Sequence, residues 1–371
     1  MKLMVPDYDR SVLSLTNSVL AHYGIPPYHK TMPALDRMLE KPYRNIVFMI
    51  FDGMGSHILQ KHLDPDAFLR THTAADISSV FPPTTTASTV SMYTGLSPIE
   101  HGWLGWSLYF SEIDKNVNLF PNTLEGTQNT PAADFDVAQR YIPYEDIFGK
   151  INARHPDVAA ACIAPFTEHR VNSVTEICDT VQKICGEAGR HFLLTYWPEP
   201  DGAMHLHGTQ SEQARIIITD IDKQIEIVSE QLSDTLLIIT ADHGQMDTEF
   251  RFLTDYPALA ECLLRAPSIE ARAVNFFVRE EKKPLFEIEF DRCFGNDFML
   301  LTKEQVLERH LFGEGIPHKK AEDFLGDYLA VATGNIGIEY ARPTWRAVFK
   351  GHHAGLTEEE MQVPLILIEK P

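Results

Sequence analysis

Three apolar runs that each break off into an acidic residue limit this chain more than any other feature. Asn45 to Phe51 (NIVFMIF) runs into Asp52 and Gly53, Phe192 to Trp197 (FLLTYW) into Pro198, Glu199, Pro200 and Asp201, and Leu236 to Thr240 (LLIIT) into Ala241, Asp242 and His243. Short runs without polar alternation suit strands buried on both faces, the condition of a parallel sheet covered by helices. In open sheets of that kind ligands bind beyond the carboxyl ends of the strands, where these acids fall. Pro364 to Ile368 (PLILI) is a fourth run and Ile77 to Phe81 a weaker fifth. Before LLIIT, apolar residues at Ile217, Ile218, Ile221, Ile225, Val228 and Leu232 follow helical spacing, so Ser211 to Leu232 is expected to be an amphipathic helix. The expected fold class is α/β: a mainly parallel central sheet sandwiched between helices.

Two stretches depart from that rhythm. From about 248 to 347 charge is denser, patches alternate as in FEIEFDRCF (Phe286 to Phe294), and no run ends in a chemical motif. This segment is expected to be an inserted cap on a single catalytic domain spanning 1–371. Residues Ser111 to Asp146 are polar and rich in turn formers, which predicts a long surface excursion.

A formal charge of -20 argues against a protein that tracks a long nucleic acid, because a polyanion would be repelled. A local cationic site made by bound divalent metals would admit only small anionic substrates. No membrane partner is expected, since no window approaches a spanning apolar run. The first 15 residues (MKLMVPDYDRSVLSL) lack the apolar core of a signal peptide, and five cysteines at irregular spacing read as reduced thiols. A cytoplasmic enzyme is the expectation.

An acid after a strand is often only a helix cap, but here the acids have company. Asp242 adjoins His243, and Asp201 lies four residues before His205, so each pair can offer a carboxylate oxygen and an imidazole to one cation. A hydroxyl nucleophile is available in Phe81-Pro82-Pro83-Thr84-Thr85-Thr86, where two prolines force an extended turn and a helix can open after Thr85. That places the hydroxyl at a helix N-terminus, which favours bound phosphate. A threonine hydroxyl is scarcely ionised at neutral pH, so it makes chemical sense as nucleophile where metal ligands converge on it. Gly351-His352-His353-Ala354-Gly355 adds two histidines just before the last strand. Neighbours in an extended loop face opposite ways, so one imidazole at most is expected to reach the site.

Taken together, Ile46 to Gly53, Phe81 to Leu96 with Glu100-His101-Gly102, Glu199 to His205, Ile238 to Gly244 and His353 to Pro364 resemble the alkaline phosphatase superfamily, within it the type I phosphodiesterase and nucleotide pyrophosphatase branch. The resemblance implies a hydrolase of phosphate esters with two divalent ions, zinc or else manganese, and a phosphothreonine intermediate on Thr85. It implies that Asp52, Asp242 and His243 hold one metal, which Thr85 also contacts, and that Asp201, His205 and His353 hold the other. Its substrate would be a small phosphate ester or nucleotide-like molecule. Where that branch has Asn three residues after the nucleophile this chain has Ser88, and the arginine that alkaline phosphatases place beside theirs is absent, which leans towards diesters.

Thr86, Ser88, His207 and Trp106 are further candidates to touch substrate, Trp106 as part of an aromatic run from Trp103 to Phe110 that could equally be core. His352 is either a neighbour of the ligands or a solvated loop residue, and His101 is expected to brace the loop after the nucleophile's helix. The competing functions are a phosphomonoesterase or phosphonate hydrolase on the same metals, a phosphotransferase or mutase, and an inactive metal-binding relative.

Overall fold

All three acid-terminated runs are strands, and they lie side by side. In the computed structural model, which describes residues 1–371, Asn45–Phe51 pairs in parallel with Thr235–Thr240 on one side and Arg190–Trp197 on the other. Val158–Ile163 extends the parallel set beyond Arg190–Trp197. Every residue of Asn45–Phe51 and Thr235–Thr240 is buried, as uninterrupted apolar runs in a covered sheet should be. Because the three strands are neighbours pointing the same way, the acids that follow them emerge together at one edge of the sheet.

The rest of this six-stranded sheet differs from expectation in two places. Gln362–Lys370, longer than the PLILI run, is antiparallel to Thr235–Thr240 and to the edge strand. That edge strand is Thr73–Ser78, not Ile77 to Phe81. It has the sequence TAADIS and is buried only at Ile77 and Ser78 after alternating half-buried and exposed residues, so an edge strand with one wet face gave no apolar run to read. The helix Glu212–Gln231 forms as its spacing predicts, with Ser211 capping its N-terminus through the Ala214 N–H.

A second, seven-stranded sheet joins both irregular stretches. Its order is Phe298–Thr302, Tyr328–Ala332, Ala273–Phe276, Ser268–Ile269, Ser107–Phe110, Lys115–Asn118 and Thr123–Leu124, so residues 107–124 supply three strands and residues 268–332 four. The 111–146 segment is therefore not merely a surface excursion, since Val117, Leu119, Val137 and Ile142 are buried within it. Period-two alternation divides the faces. Leu329 and Val331 pack towards Phe81, Val90 and Trp103, whereas Tyr328, Ala330 and Ala332 pack towards Phe286, Phe290 and Phe294. Those phenylalanines sit four apart on the helix Lys283–Phe294, so the alternating FEIEFDRCF patch is a helix with one aromatic stripe.

A buried ion pair clamps this sheet to the chain's last loop. Arg272 Nε and Nη2 donate to Glu360 Oε1 and Oε2 at 2.6 and 2.8 Å, and neither side chain has any exposure. Glu360 also accepts from the Gly355 N–H at 2.8 Å and the Thr357 hydroxyl at 2.6 Å, while Arg272 donates to the carbonyls of Gly334 and Ile336 at 2.9 Å. The hydrogen bonding offsets the cost of dehydrating both charges. Arg272→Met should lower unfolding free energy by roughly 3–5 kcal/mol, because Glu360 is left buried and charged. Denaturant titration checks this, and a loss below about 1 kcal/mol would show that the clamp contributes little.

Candidate active site

The loops after the three central strands are held against one another by their backbones. Asp52 N–H donates to the Trp197 carbonyl at 2.9 Å, and Asp201 N–H to the Asp52 carbonyl at 3.1 Å. Gly53 adopts φ +72°, and a Cβ there would lie 2.9 Å from the Asp201 Cβ, so this approach requires glycine. Gly53 N–H in turn donates to Asp242 Oδ1 at 3.1 Å. Three carboxylates thus meet in a nearly dry pocket, Asp52, Asp201 and Asp242 being 3, 8 and 0% exposed.

Three imidazoles face them. His243 Nε2 lies 3.2 Å from Asp52 Oδ1 and 3.5 Å from Asp242 Oδ2. His205, four residues along the helix Asp201–His207, has Nε2 3.1 Å from Asp201 Oδ2, and His353 Nε2 lies 3.7 Å from Asp201 Oδ1. The other ring nitrogen of each faces a backbone carbonyl: His243 Nδ1 that of Gly244 at 2.9 Å, His205 Nδ1 that of Gly351 at 2.8 Å, His353 Nδ1 that of Pro83 at 2.9 Å. A carbonyl only accepts, so Nδ1 carries the proton in all three and Nε2 is turned to the carboxylates. Lone pairs would then oppose lone pairs unless a proton or a cation lies between them, and this is how metal-binding histidines are oriented.

The donor atoms of Asp52, Asp242 and His243 lie within 4.8 Å of one another, as do those of Asp201, His243 and His353. The first trio is the one expected from sequence. In the second, His243 stands where His205 was expected, because its ring stacks on His353 with centroids 3.7 Å apart and belongs to both groups. His205 flanks that trio through Asp201. Asp52 Oδ1 and Asp242 Oδ2 are buried without a hydrogen-bond partner, a further fit to a cation.

Electrostatics point the same way. Burial and the Asp201 charge push the Asp52 carboxyl up, and burial with the Asp52 charge pushes Asp242 well up. Burial disfavours charge on His243, but Asp242 and Asp52 outweigh it and raise the ring to about 10. His353 is driven well down by burial, then by His243 and His352. Anions that resist ionisation beside an imidazole forced to protonate are a site short of positive charge.

Thr85 is the first residue of the helix Thr85–Thr94 and only 7% exposed. Its Oγ1 donates to Asp52 Oδ2 at 3.3 Å and lies 3.3 Å from His243 Nε2. The other candidates are placed differently. Ser88 is fully buried, with its hydroxyl 2.9 Å from that of Ser79, and so is turned into the packing rather than the cleft. Thr86 is buried with an unpartnered hydroxyl, and His207 is exposed at the end of its helix. Trp106 is 38% exposed, its ring edge-on to Phe120. His352 is buried and its ring stacks on that of His353 at 5.1 Å, so the two neighbours do not face opposite ways; Ala354, at φ +96°, turns the chain directly after them. His101 braces the loop through Ser91 Oγ at 3.0 Å and the Trp103 N–H at 3.0 Å.

Sequence reasoning missed Tyr196, whose hydroxyl donates to Asp52 Oδ2, and Gln245, whose amide donates to Asp201 Oδ1 at 3.1 Å. Gln245 directly follows the Asp242-His243-Gly244 motif and could have been found there. Tyr196 lies within an apolar strand and carried no signal.

A family model described as type I phosphodiesterase / nucleotide pyrophosphatase matches residues 46–270. The chain belongs to this family. Ectonucleotide pyrophosphatase/phosphodiesterase family member 7 of Rattus norvegicus is 29% identical over 149 residues, 38% of this chain and 29% of that protein, so the chain spans under a third of the length of this relative. Among solved structures, murine ectonucleotide pyrophosphatase / phosphodiesterase 5 superposes with a TM-score of 0.64 at 17% identity, covering 88% of each chain. Phosphonoacetate hydrolase from Sinorhizobium meliloti 1021, in complex with phosphonoformate, gives 0.65 at 14% identity, covering 89% of this chain and 91% of that one. The fold is that of the alkaline phosphatase superfamily. No helix is long and apolar enough to cross a membrane, and all five cysteines are free.

Zinc added to chelator-stripped protein should raise the thermal midpoint, since an ion that binds only the folded chain stabilises it. Asp242→Asn should shrink that rise and lower the bound zinc measured by elemental analysis. Equal rises and equal metal content in both proteins would remove this trio from the metal site.

Proposed function

We propose that the protein is a two-metal phosphodiesterase of small, nucleotide-like esters that works through a phosphothreonine on Thr85. The observation that carries the reading is Thr85 Oγ1 at a helix N-terminus, 3.3 Å from both Asp52 and His243, beside imidazoles whose Nε2 atoms are freed by backbone carbonyls. Asp52, Asp242 and His243 would hold one divalent cation, and Asp201, His205 and His353 the second, with His243 near enough to serve both. Bound there, the pair supplies positive charge to the attacking and departing oxygens of an in-line displacement. Zinc suits the mixed oxygen and nitrogen donors best, with manganese the alternative. Free cysteines support a reducing, cytoplasmic setting.

The chain's own residues have separable tasks. The first-turn N–H groups of the Thr85–Thr94 helix have no partners within the helix and would hold a non-bridging phosphate oxygen. Thr85 Oγ1, held by Asp52, would form the new bond to phosphorus as the bond to the leaving oxygen breaks, its own proton passing by way of water to that oxygen so that an alcohol departs. Tyr196 fixes Asp52 through its hydroxyl, and Gln245 fixes Asp201. Water then attacks phosphorus from the vacated side, the bond to Oγ1 breaks, and the proton that the water gives up returns to the threonine oxygen.

A murine relative, an inactive threonine-to-alanine variant in complex with AMP, supports both the nucleophile and a nucleotide-like substrate. The rival reading is a phosphonate hydrolase, favoured by the structural likeness to phosphonoacetate hydrolase. An aryl diester, an aryl monoester and phosphonoacetate compared on one metal-loaded preparation separate the two, with diester turnover expected to be fastest. Thr85→Ala should lose turnover by roughly a thousandfold or more while retaining its metal. Substantial metal-dependent activity in that variant would reject Thr85 as nucleophile.

A further inference from the structure

The side chain before the nucleophile does not do what its position suggests. Thr84 is the N-cap of the Thr85–Thr94 helix, with extended φ and ψ of -142° and 149°, yet it makes no side-chain capping bond. An N-cap threonine normally accepts from a first-turn N–H. Here its hydroxyl donates instead to Glu270 Oε1, which also accepts the Trp106 N–H at 3.1 Å. Both donors fall on one oxygen, and the second oxygen takes neither. Glu270 comes from the second sheet, at the end of the two-residue strand Ser268–Ile269.

The chain reaches this position at a conformational cost. Ile269 has φ +76°, a region β-branched residues avoid. Gly105 packs on it so closely that a Cβ there would meet Ile269 Cγ2 at 2.7 Å. The contact holds the strained turn, sets the Trp106 N–H against Glu270, and projects the carboxylate over the start of the nucleophile's helix. No other acidic side chain bonds to Thr84 or Trp106, and the proposed mechanism does not use Glu270.

We infer that Glu270 is a specificity-determining residue that sets the charge of the phosphate the pocket accepts, favouring singly charged diesters over doubly charged monoesters. This rests on the proposed phosphoesterase reading. A hydroxyl bonded to Glu270 from the N-cap position puts the carboxylate about two hydrogen-bond lengths, on the order of 6 Å, from an anion held by the first-turn N–H groups. At that separation each extra negative charge on the ligand is disfavoured by about tenfold in affinity, within the range between aqueous and interior screening. Burial pushes the Glu270 carboxyl up to about 7, and the two donors work to keep it ionised, so mildly alkaline buffer holds it charged.

Glu270→Gln is the discriminating variant, since the amide oxygen can still accept from Thr84 and Trp106 while the charge is gone. Calorimetry on zinc-loaded full-length protein at about pH 8.5 should show that E270Q binds both anions more tightly than the natural protein, with the gain for doubly charged inorganic phosphate about tenfold larger than that for singly charged dimethyl phosphate. The KM for an aryl monoester should fall relative to that for an aryl diester by a similar factor, at unchanged kcat. Parallel changes for both ligands, or none, would overturn the assignment and leave Glu270 as a structural prop. If the two proteins show this binding pattern but the natural protein turns over no ester, the phosphoesterase reading falls and the charge filter stands.

Discussion

Three carboxylates share a pocket that water barely enters, and this repulsion governs the site. Asp52 and Asp242 cannot both ionise there without positive charge, and His243 is driven to supply some of it. The chain nevertheless invests heavily in keeping the acids together: neighbouring parallel strands, a glycine at positive φ between Asp52 and Asp201, and backbone bonds from one motif loop to the next. It also commits one nitrogen of each of three imidazoles to a carbonyl. Such an arrangement is unfavourable alone and would be favourable around cations.

The loop that carries His353 depends on a second charged contact away from the cage. Glu360 gathers the Gly355 N–H, the Thr357 hydroxyl and the Arg272 guanidinium, so the two turns after His353 fold around one carboxylate. Arg272 brings the second sheet with it, two residues after Glu270. The same short segment therefore anchors the His353 loop and places an acid over Thr84. Variation there would be felt both at the His353 loop and at the start of the Thr85–Thr94 helix.

What the sequence made legible follows from how each element is buried. Asn45 to Phe51 and Thr235 to Thr240 are covered on both faces, so their apolar runs stood out, and the acids after them could be read from strand ends. Asp201 and His205 were legible because four residues is one helical turn. The edge strand Thr73–Ser78 was not, since one wet face breaks the apolar run, and the Phe286, Phe290 and Phe294 stripe was obscured by the charges between its members. The pairing of residues 107–124 with 268–332 is a long-range match between segments that each look irregular alone, and no local pattern encodes it.

The substrate side of the site was illegible for the same reason. Ser88 seemed to mark it because it lies three residues from Thr85, but that offset on a buried helix turns the side chain towards Ser79 and the sheet. Glu270 is far from every motif in the chain and reaches Thr84 only through a strained residue on a two-residue strand. The proposed metal ligands lie at strand ends and on one helix turn, whose regular geometry leaves a readable spacing. The proposed selecting group comes from a second layer of structure that passes over the pocket. In this chain that layer is the sheet joined by residues 107–124 and 268–332, and its one acid bonded to Thr84 is a negative charge beside the pocket that the proposed function fills with cations and a phosphate.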